Sequence, residues 1–257
     1  MGEIASYSAL VVVCYMTTWF VIAQIKKRND IADIAWGIGF FTLTFALYLR
    51  QNATSLKAFI LLCMVGVWAI RLAMHIAVRQ EHKPEDARYV AMRQKWKYET
   101  LQAYTNVFLA QGIFLLMVSA PIIVYFTYMT TSISLLNIGG LVLWSIGLFF
   151  EAVGDYQLAR FLKKPKNKGK IMRYGLWKFT RHPNYFGEIS LWWGLWLFTG
   201  FGTGWIFGIL GPITITVLIL GISGIPMLEK RYKGNKEYEQ YQKTTSAFFP
   251  MRSKNLK

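Results

Sequence analysis

Apolar residues run along this chain in long blocks, separated by short polar segments rich in lysine and arginine. A membrane-spanning helix needs about 20 mostly apolar residues. Seven blocks qualify: residues 5–24, 31–49, 57–78, 106–128, 134–157, 185–201 and 204–227. They predict an all-α fold, an integral membrane bundle of about seven transmembrane helices. The sixth block is the shortest and is expected to tilt or to be re-entrant. The first is apolar from Ala5 and follows Met-Gly-Glu without a basic n-region, so it reads as a retained span, not a cleaved signal peptide. No repeat or low-complexity tract is visible. The longest polar stretches, about 79–105 and 158–184, read as connectors within a single transmembrane domain, residues 1–257.

Composition agrees. Hydrophobic residues make up 54% of the chain, above the roughly 45–50% of soluble domains, so the chain needs apolar solvent outside as well as inside. Ten Trp and fourteen Tyr fit rings gathered where hydrocarbon meets water. Charge adds an orientation. Basic residues mark cytoplasmic loops, and 26 of the 29 Lys and Arg fall in alternate loops and the C-terminal tail. These groups are Lys26–Arg28, Arg79–Lys97, Arg160–Arg181 and Lys230–Lys257. The intervening loops hold only Arg50 and Lys57, and Arg71 lies within a span. This places the N-terminus outside, and the basic loops and C-terminus in the cytoplasm. The net charge of +16 is then met by positive-inside bias and contact with anionic membrane lipids. Without a basic soluble module, nucleic acid is not an expected partner, and no obligate protein partner is implied.

Cys14 and Cys63 lie in expected spans and form no disulfide framework. His75, His82 and His182 have no metal-ligand spacing, so no metal site is expected. Asn52-Ala-Thr54 is a formal glycosylation sequon close to the membrane. The N-terminus fits a loose myristoylation pattern that an outside position argues against.

Ionisable residues inside spans are functional candidates: Asp33, Arg71, Glu151, Asp155 and Glu188. Glu151 and Asp155 share a helix face, as do Asn184 and Glu188. A structural role, with these groups pairing to hold the bundle together, is the competing reading. Asp33 stands in Asp-Ile-Ala-Trp-Gly37, where Gly37 permits close approach of a helix or ligand. The densest polar signal is Arg181-His-Pro-Asn-Tyr-Phe-Gly-Glu188, where loop meets membrane. Pro183 disfavours helix at His182 and can itself start one. The exposed N–H groups of that helix start form a natural phosphate cradle. Arg181 adds a bidentate donor, and Lys163, Lys164, Lys166, Lys168, Lys170 and Arg173 add a positive field. An interfacial anchor explains the aromatic residues but not Asn184 and Glu188 on one face.

The same segment resembles the C-terminal signature of the DUF1295 family, within the steroid 5α-reductase-like superfamily. Asp33-Ile-Ala-Trp-Gly, Arg71-Leu, Arg88-Tyr89, Glu151-Ala-Val-Gly-Asp155-Tyr-Gln and the tail ending Phe248-Phe-Pro250 resemble it too. The resemblance implies a seven-helix membrane fold that binds NADPH on its cytosolic side and reduces carbon–carbon double bonds of steroids and other lipids. By similarity, Asp155, Asn184 and Glu188 match cofactor-site positions, Arg181, His182 and Tyr185 match the segment around them, and Tyr241 lies in the tail that closes the site, within a C-terminal half of about 134–257; Arg173, from the positive field, is placed with the cofactor-binding residues too. Tyr232 and Tyr238 lie in the same tail, where a histidine of the steroid enzymes is absent. The Gln-Glu pair that those enzymes set around an enone carbonyl has no counterpart in spans two or three, which argues against a steroid substrate.

The expected activity is an NADPH-dependent oxidoreductase acting on a CH–CH group of a lipid-like small molecule. Nicotinamide is expected near Asn184 and Glu188, while Tyr89 and protonated Asp33 are candidates to stabilise the enolate-like charge. Glu188 is placed with both the catalytic and the cofactor-binding residues. Gly37-Ile-Gly39 and Gly200-Phe-Gly-Thr-Gly204 lack the strand–turn–helix setting of a soluble dinucleotide fingerprint. Two alternatives stay open. Arg181-His-Pro and the Glu229 to Pro250 tail also suit an S-adenosylmethionine-dependent lipid or isoprenylcysteine-type methyltransferase. A non-catalytic transporter or scaffold is the other, although transporters more often show repeats and broken midplane helices.

Overall fold

The computed structural model describes residues 2–81, 83–200 and 202–252. His82, Lys254 and Lys257 lie outside the described residues. Helix accounts for 78% of the chain, and no strand occurs among the described residues. Among the described residues, six helical stretches are long and apolar enough to cross a membrane: Gly2–Lys26, Asn29–Arg50, Leu56–Gln80, Glu99–Val118, Leu135–Leu162 and Trp205–Lys230. They make the chain a multi-pass membrane protein by length and composition. The block expected at 185–201 is a helix of 17 residues, Pro183–Thr199. At 1.5 Å per residue it rises only about 26 Å, against roughly 30 Å of hydrocarbon, and Asn184 and Glu188 make its first turns polar. The block expected at 106–128 is two helices, because the chain breaks at Ser119 ahead of Pro121.

The chain folds as two compact units. The first comprises Met1–Ser134 and Thr199–Gly211. It contains α1 (Gly2–Lys26), α2 (Ala32–Arg50), α3 (Leu56–Gln80), the short α4 (Ala87–Arg93), α5 (Glu99–Val118) and α6 (Ala120–Tyr128). Helices α2 and α3 meet closely at Gly37, where a Cβ would stand 3.3 Å from the Ala69 carbonyl oxygen. Phe40 lies edge-on to both Trp36 and Trp68. Ser55 caps α3 by accepting the Ala58 N–H, and Asp86 caps α4 by accepting the Arg88 N–H. Within α5, Tyr104–Leu109 is wound as a π-helix. Lys57, expected in a loop, is 2% exposed and its Nζ donates to Thr130 Oγ1 at 2.9 Å.

The second unit comprises Leu135–Phe198 and Pro212–Lys257. It is built on α7 (Leu135–Leu162) and α8 (Pro183–Thr199). Glycines recur every seven residues on both: 140, 147 and 154 on α7, 187 and 194 on α8. Seven residues are nearly two helical turns, so each set forms one stripe. A Cβ on Gly147 would lie 2.5 Å from Leu191 N, and one on Gly187 would lie 2.4 Å from Glu151 N. Gly140 opposes Gly194 and Phe198, whereas Gly154 opposes Pro183 and Asn184, so the pair is antiparallel and in backbone contact. Later come α9 (Leu210–Val217), a π-helical stretch Leu218–Ile222, α10 (Ile225–Lys230) and α11 (Lys236–Thr244), the last capped by Asn235.

Candidate functional site

Each unit gathers part of the predicted chemistry. In the first unit, the polar end of α2 meets the loop that carries α4. Asp30, 1% exposed, accepts Arg28 Nε and Nη2, both at 2.7 Å, and the Asp86 N–H at 3.0 Å. Its carbonyl accepts Gln80 Nε2 at 2.9 Å. Glu85 takes the Asn29 N–H at 2.6 Å and pairs with Arg93. These bonds fix α4 against the start of α2. There the Tyr89 hydroxyl donates to Asp33 Oδ1 at 2.6 Å and Arg88 Nη2 donates to Asp33 Oδ2 at 3.0 Å. The two residues named as acid candidates thus form one pair. Burial, reinforced by Asp33, holds the Tyr89 phenol well above its ordinary pKa. Against the cost of burial, Asp86 and Asp33 hold the Arg88 guanidinium charged. Asp33 thus meets Tyr89 with one carboxyl oxygen and Arg88 with the other.

In the second unit, Pro183 starts α8 as its chemistry requires, and Asn184 and Glu188 follow one turn apart. Asn184 Nδ2 donates to Asp155 Oδ1 at 3.1 Å, and Asp155 is buried. The other end of that carboxamide, Oδ1, is buried without a hydrogen-bond partner. Glu188 is half-buried. Tyr185 stacks on His182, with ring centroids 5.4 Å apart.

Arg181 and His182 converge on Glu229. Arg181 Nε and Nη2 reach Glu229 Oε1 at 2.9 Å each, and His182 Nε2 lies 3.0 Å from the same oxygen. The Tyr238 hydroxyl also donates to it at 3.1 Å, and Gln242 Nε2 donates to Oε2 at 2.9 Å. Arg181 Nη1 reaches the carbonyls of Gln242 and Thr245 at 3.2 and 2.6 Å. Arg181 thus ties the tail to the start of α8, with most of its donors engaged inside the protein. Burial holds the His182 imidazole below its ordinary pKa, although Glu229 pulls the other way. Tyr241 is buried, its hydroxyl on the Trp177 carbonyl, and Arg173 pairs with Glu237 at the surface. Burial also raises the Tyr238 and Tyr241 phenols. Lys163, Lys164, Lys166, Lys168, Lys170 and Lys178 are exposed. Among the described residues no group of His, Cys, Asp or Glu is arranged to hold a metal ion.

Two residues escaped the sequence reading. Glu229 figured only as part of a tail pattern, because nothing local marks a residue as the meeting point of segments about 50 positions apart. Gln111 carries no charge, so it does not stand out among the ionisable residues of the spans. A carboxamide inside the apolar block 106–128 was the available signal. Gln111 Nε2 donates to the Tyr89 hydroxyl at 3.4 Å, and its Oε1 is buried without a partner.

A family model described as "Protein of unknown function (DUF1295)" matches residues 19–245. The chain is similar to very-long-chain enoyl-CoA reductase of Dictyostelium discoideum, 31% identical over 112 residues, which are 43% of this chain and 35% of that protein. It is also similar to 3-oxo-5-alpha-steroid 4-dehydrogenase 1 of Bos taurus, 39% identical over 71 residues, which are 27% of each. The chain therefore spans about a third or less of the length of these relatives in the matched segments. No solved structure matches it.

Proposed function

Because this chain belongs to the DUF1295 family, with distant relatives that are oxidoreductases, we propose that it is a membrane-embedded NADPH-dependent reductase of a carbon–carbon double bond in a lipid-like substrate. The observation that carries the cofactor assignment is the half-used carboxamide of Asn184. Asp155 holds its nitrogen, and the buried, unpartnered Oδ1 would accept an N–H from the carboxamide of a nicotinamide. Tyr185 and Glu188 flank the same first turns of α8. The exposed lysines of 163–178 supply the positive field for the cofactor phosphates. Arg181, His182 and Tyr241 hold the loop and tail in place around the start of α8, and Arg173 adds charge at the surface. When bound, NADPH supplies the hydride that reduces the double bond.

For the proton and the charge stabilisation, Tyr89 is the candidate. A carbonyl conjugated to the alkene gains negative charge as the hydride arrives, and a fixed O–H donor lowers that barrier. Tyr89 is that donor. Asp33 orients its hydroxyl from one carboxyl oxygen, and Arg88 holds Asp33 in place through the other. The test is NADPH consumption by the purified protein with a long-chain enoyl-CoA or a 3-oxo-4-ene steroid. Saturated product forming in step with NADPH loss, and vanishing in Tyr89→Phe, is the expected result. Saturated product that forms without NADPH would contradict the reading.

A further inference from the structure

Between Asp155 and Glu188 the sequence holds nine Lys and Arg and no acid, and no acid follows Glu239. These two basic segments meet in the second unit. The Arg181 N–H donates to the Ser246 carbonyl at 2.8 Å, Thr180 Oγ1 to that of Ala247 at 3.2 Å, and the Met251 N–H to that of Phe179 at 2.9 Å. The tail is thereby strapped along residues 179–181. The strap is apolar on its outer side. Phe249 is 64% exposed, Met251 57% and Phe179 42%, and their chain neighbours Lys178 and Arg252 are exposed too. An apolar patch rimmed by cations is costly in water and suits a membrane surface, where rings enter the headgroup boundary and cations meet lipid phosphate. Gly154 of α7 opposes Pro183, so α8 begins about two turns before α7 ends at Leu162. Helix α7 is long and apolar enough to cross a membrane. The strap, bonded just ahead of Pro183, therefore lies level with the end of a span.

We propose that this strap is a docking surface for an anionic phospholipid leaflet: Phe179, Phe249 and Met251 enter the headgroup boundary, and Lys178 and Arg252 pair with lipid phosphates. This holds whichever cofactor the second unit binds. The rings of Phe248 and Phe249 lie 5.6 and 6.4 Å from that of Phe186, which follows Asn184 by two positions. Lipid on the outer side of the strap keeps these inner contacts closed and so steadies the start of α8. A two-fold contact between copies of the chain would instead set the basic rim against itself.

The test uses the full chain in nanodiscs of phosphatidylcholine, alone or mixed with phosphatidylglycerol, without cofactor. Amide hydrogen exchange of residues 245–252 reads the strap. Exchange is expected to slow about tenfold in the anionic discs, within what two basic side chains at an anionic surface supply. Salt at about 1 M, which shortens the screening length to ~3 Å, is expected to remove most of that difference. Lys178→Gln with Arg252→Gln should remove it too, at an unchanged melting temperature, since both side chains are exposed. Phe249→Ser with Met251→Ser should speed exchange in both lipids. Equal exchange of the parent in the two lipids would overturn the proposal. A difference that persists in the Lys178→Gln and Arg252→Gln variant would overturn it as well, because the charge would then act elsewhere. Slowing that requires two copies in one disc would make a second chain the occupant, and would also overturn it.

Discussion

Asn184 is held at its nitrogen by Asp155 and left open at its oxygen. Asn184→Ala removes the open acceptor, and it is expected to weaken NADPH binding about tenfold, the ~1.4 kcal/mol of one hydrogen bond to a buried group. Isothermal titration of both proteins in detergent reads this directly, and equal affinities would misplace the nicotinamide. His182 gives a pH signature. Its imidazole is held below the ordinary value of 6.5 in the folded protein. Between the two values the unfolded chain binds the proton and the folded chain does not, so stability rises with pH there. Its contribution is therefore complete above about pH 6.5 and declines as pH falls below that toward the folded value. Melting curves from pH 8 down to pH 5 should show this decline in the parent and a smaller one in His182→Gln. Parallel curves would mean that His182 is not a source of acid sensitivity.

At the scale of elements, the seam between α7 and α8 sets where Asn184 meets Asp155. Glycine at 147 and 187 lets the two backbones touch, since a Cβ there would lie 2.5 Å or less from a backbone nitrogen. Gly147→Leu forces the helices apart. Overpacking costs of order 1–3 kcal/mol in well-packed cores, and direct backbone opposition places this site at or above that range. The variant is expected to melt lower and to lose cofactor stabilisation, whereas Gly139→Leu, at a glycine with open space around it, should behave like the parent. Comparable melting of the two variants would dismiss the seam. The helix start at Pro183 and the shared face of Asn184 and Glu188 were legible in the sequence, because proline geometry and helical period are local rules. The glycine heptads were equally visible, yet their meaning needed a partner helix. The break at Ser119 was hidden inside a uniformly apolar block.

Over the whole molecule, the blocks of apolar residues carried the fold class, because lipid leaves helices and closed barrels as the spanning structures. The residues of the candidate sites were largely legible as types: Tyr89, Asp33, Asp155 and Asn184 were all singled out, and they occur as two hydrogen-bonded pairs. What sequence could not supply was the division of labour. Arg181 was read as a donor to phosphate, and the structure adds that Glu229, itself held by Tyr238 and Gln242, meets Arg181 and His182 from a distant part of the chain. Lys57 looked like a loop residue and is buried on Thr130, because its long stem reaches inward from the first turn of α3.

The central claim is that the second unit binds a reduced nicotinamide dinucleotide. Its most direct test is the melting temperature of the purified protein in the presence of NADPH, NADH or S-adenosylmethionine. A ligand that binds only the folded state at a hundred times its Kd adds about 2.7 kcal/mol of stability. We predict a clear rise with NADPH, a loss of that rise in Asn184→Ala, and no rise with S-adenosylmethionine. Stabilisation by S-adenosylmethionine alone would contradict the account.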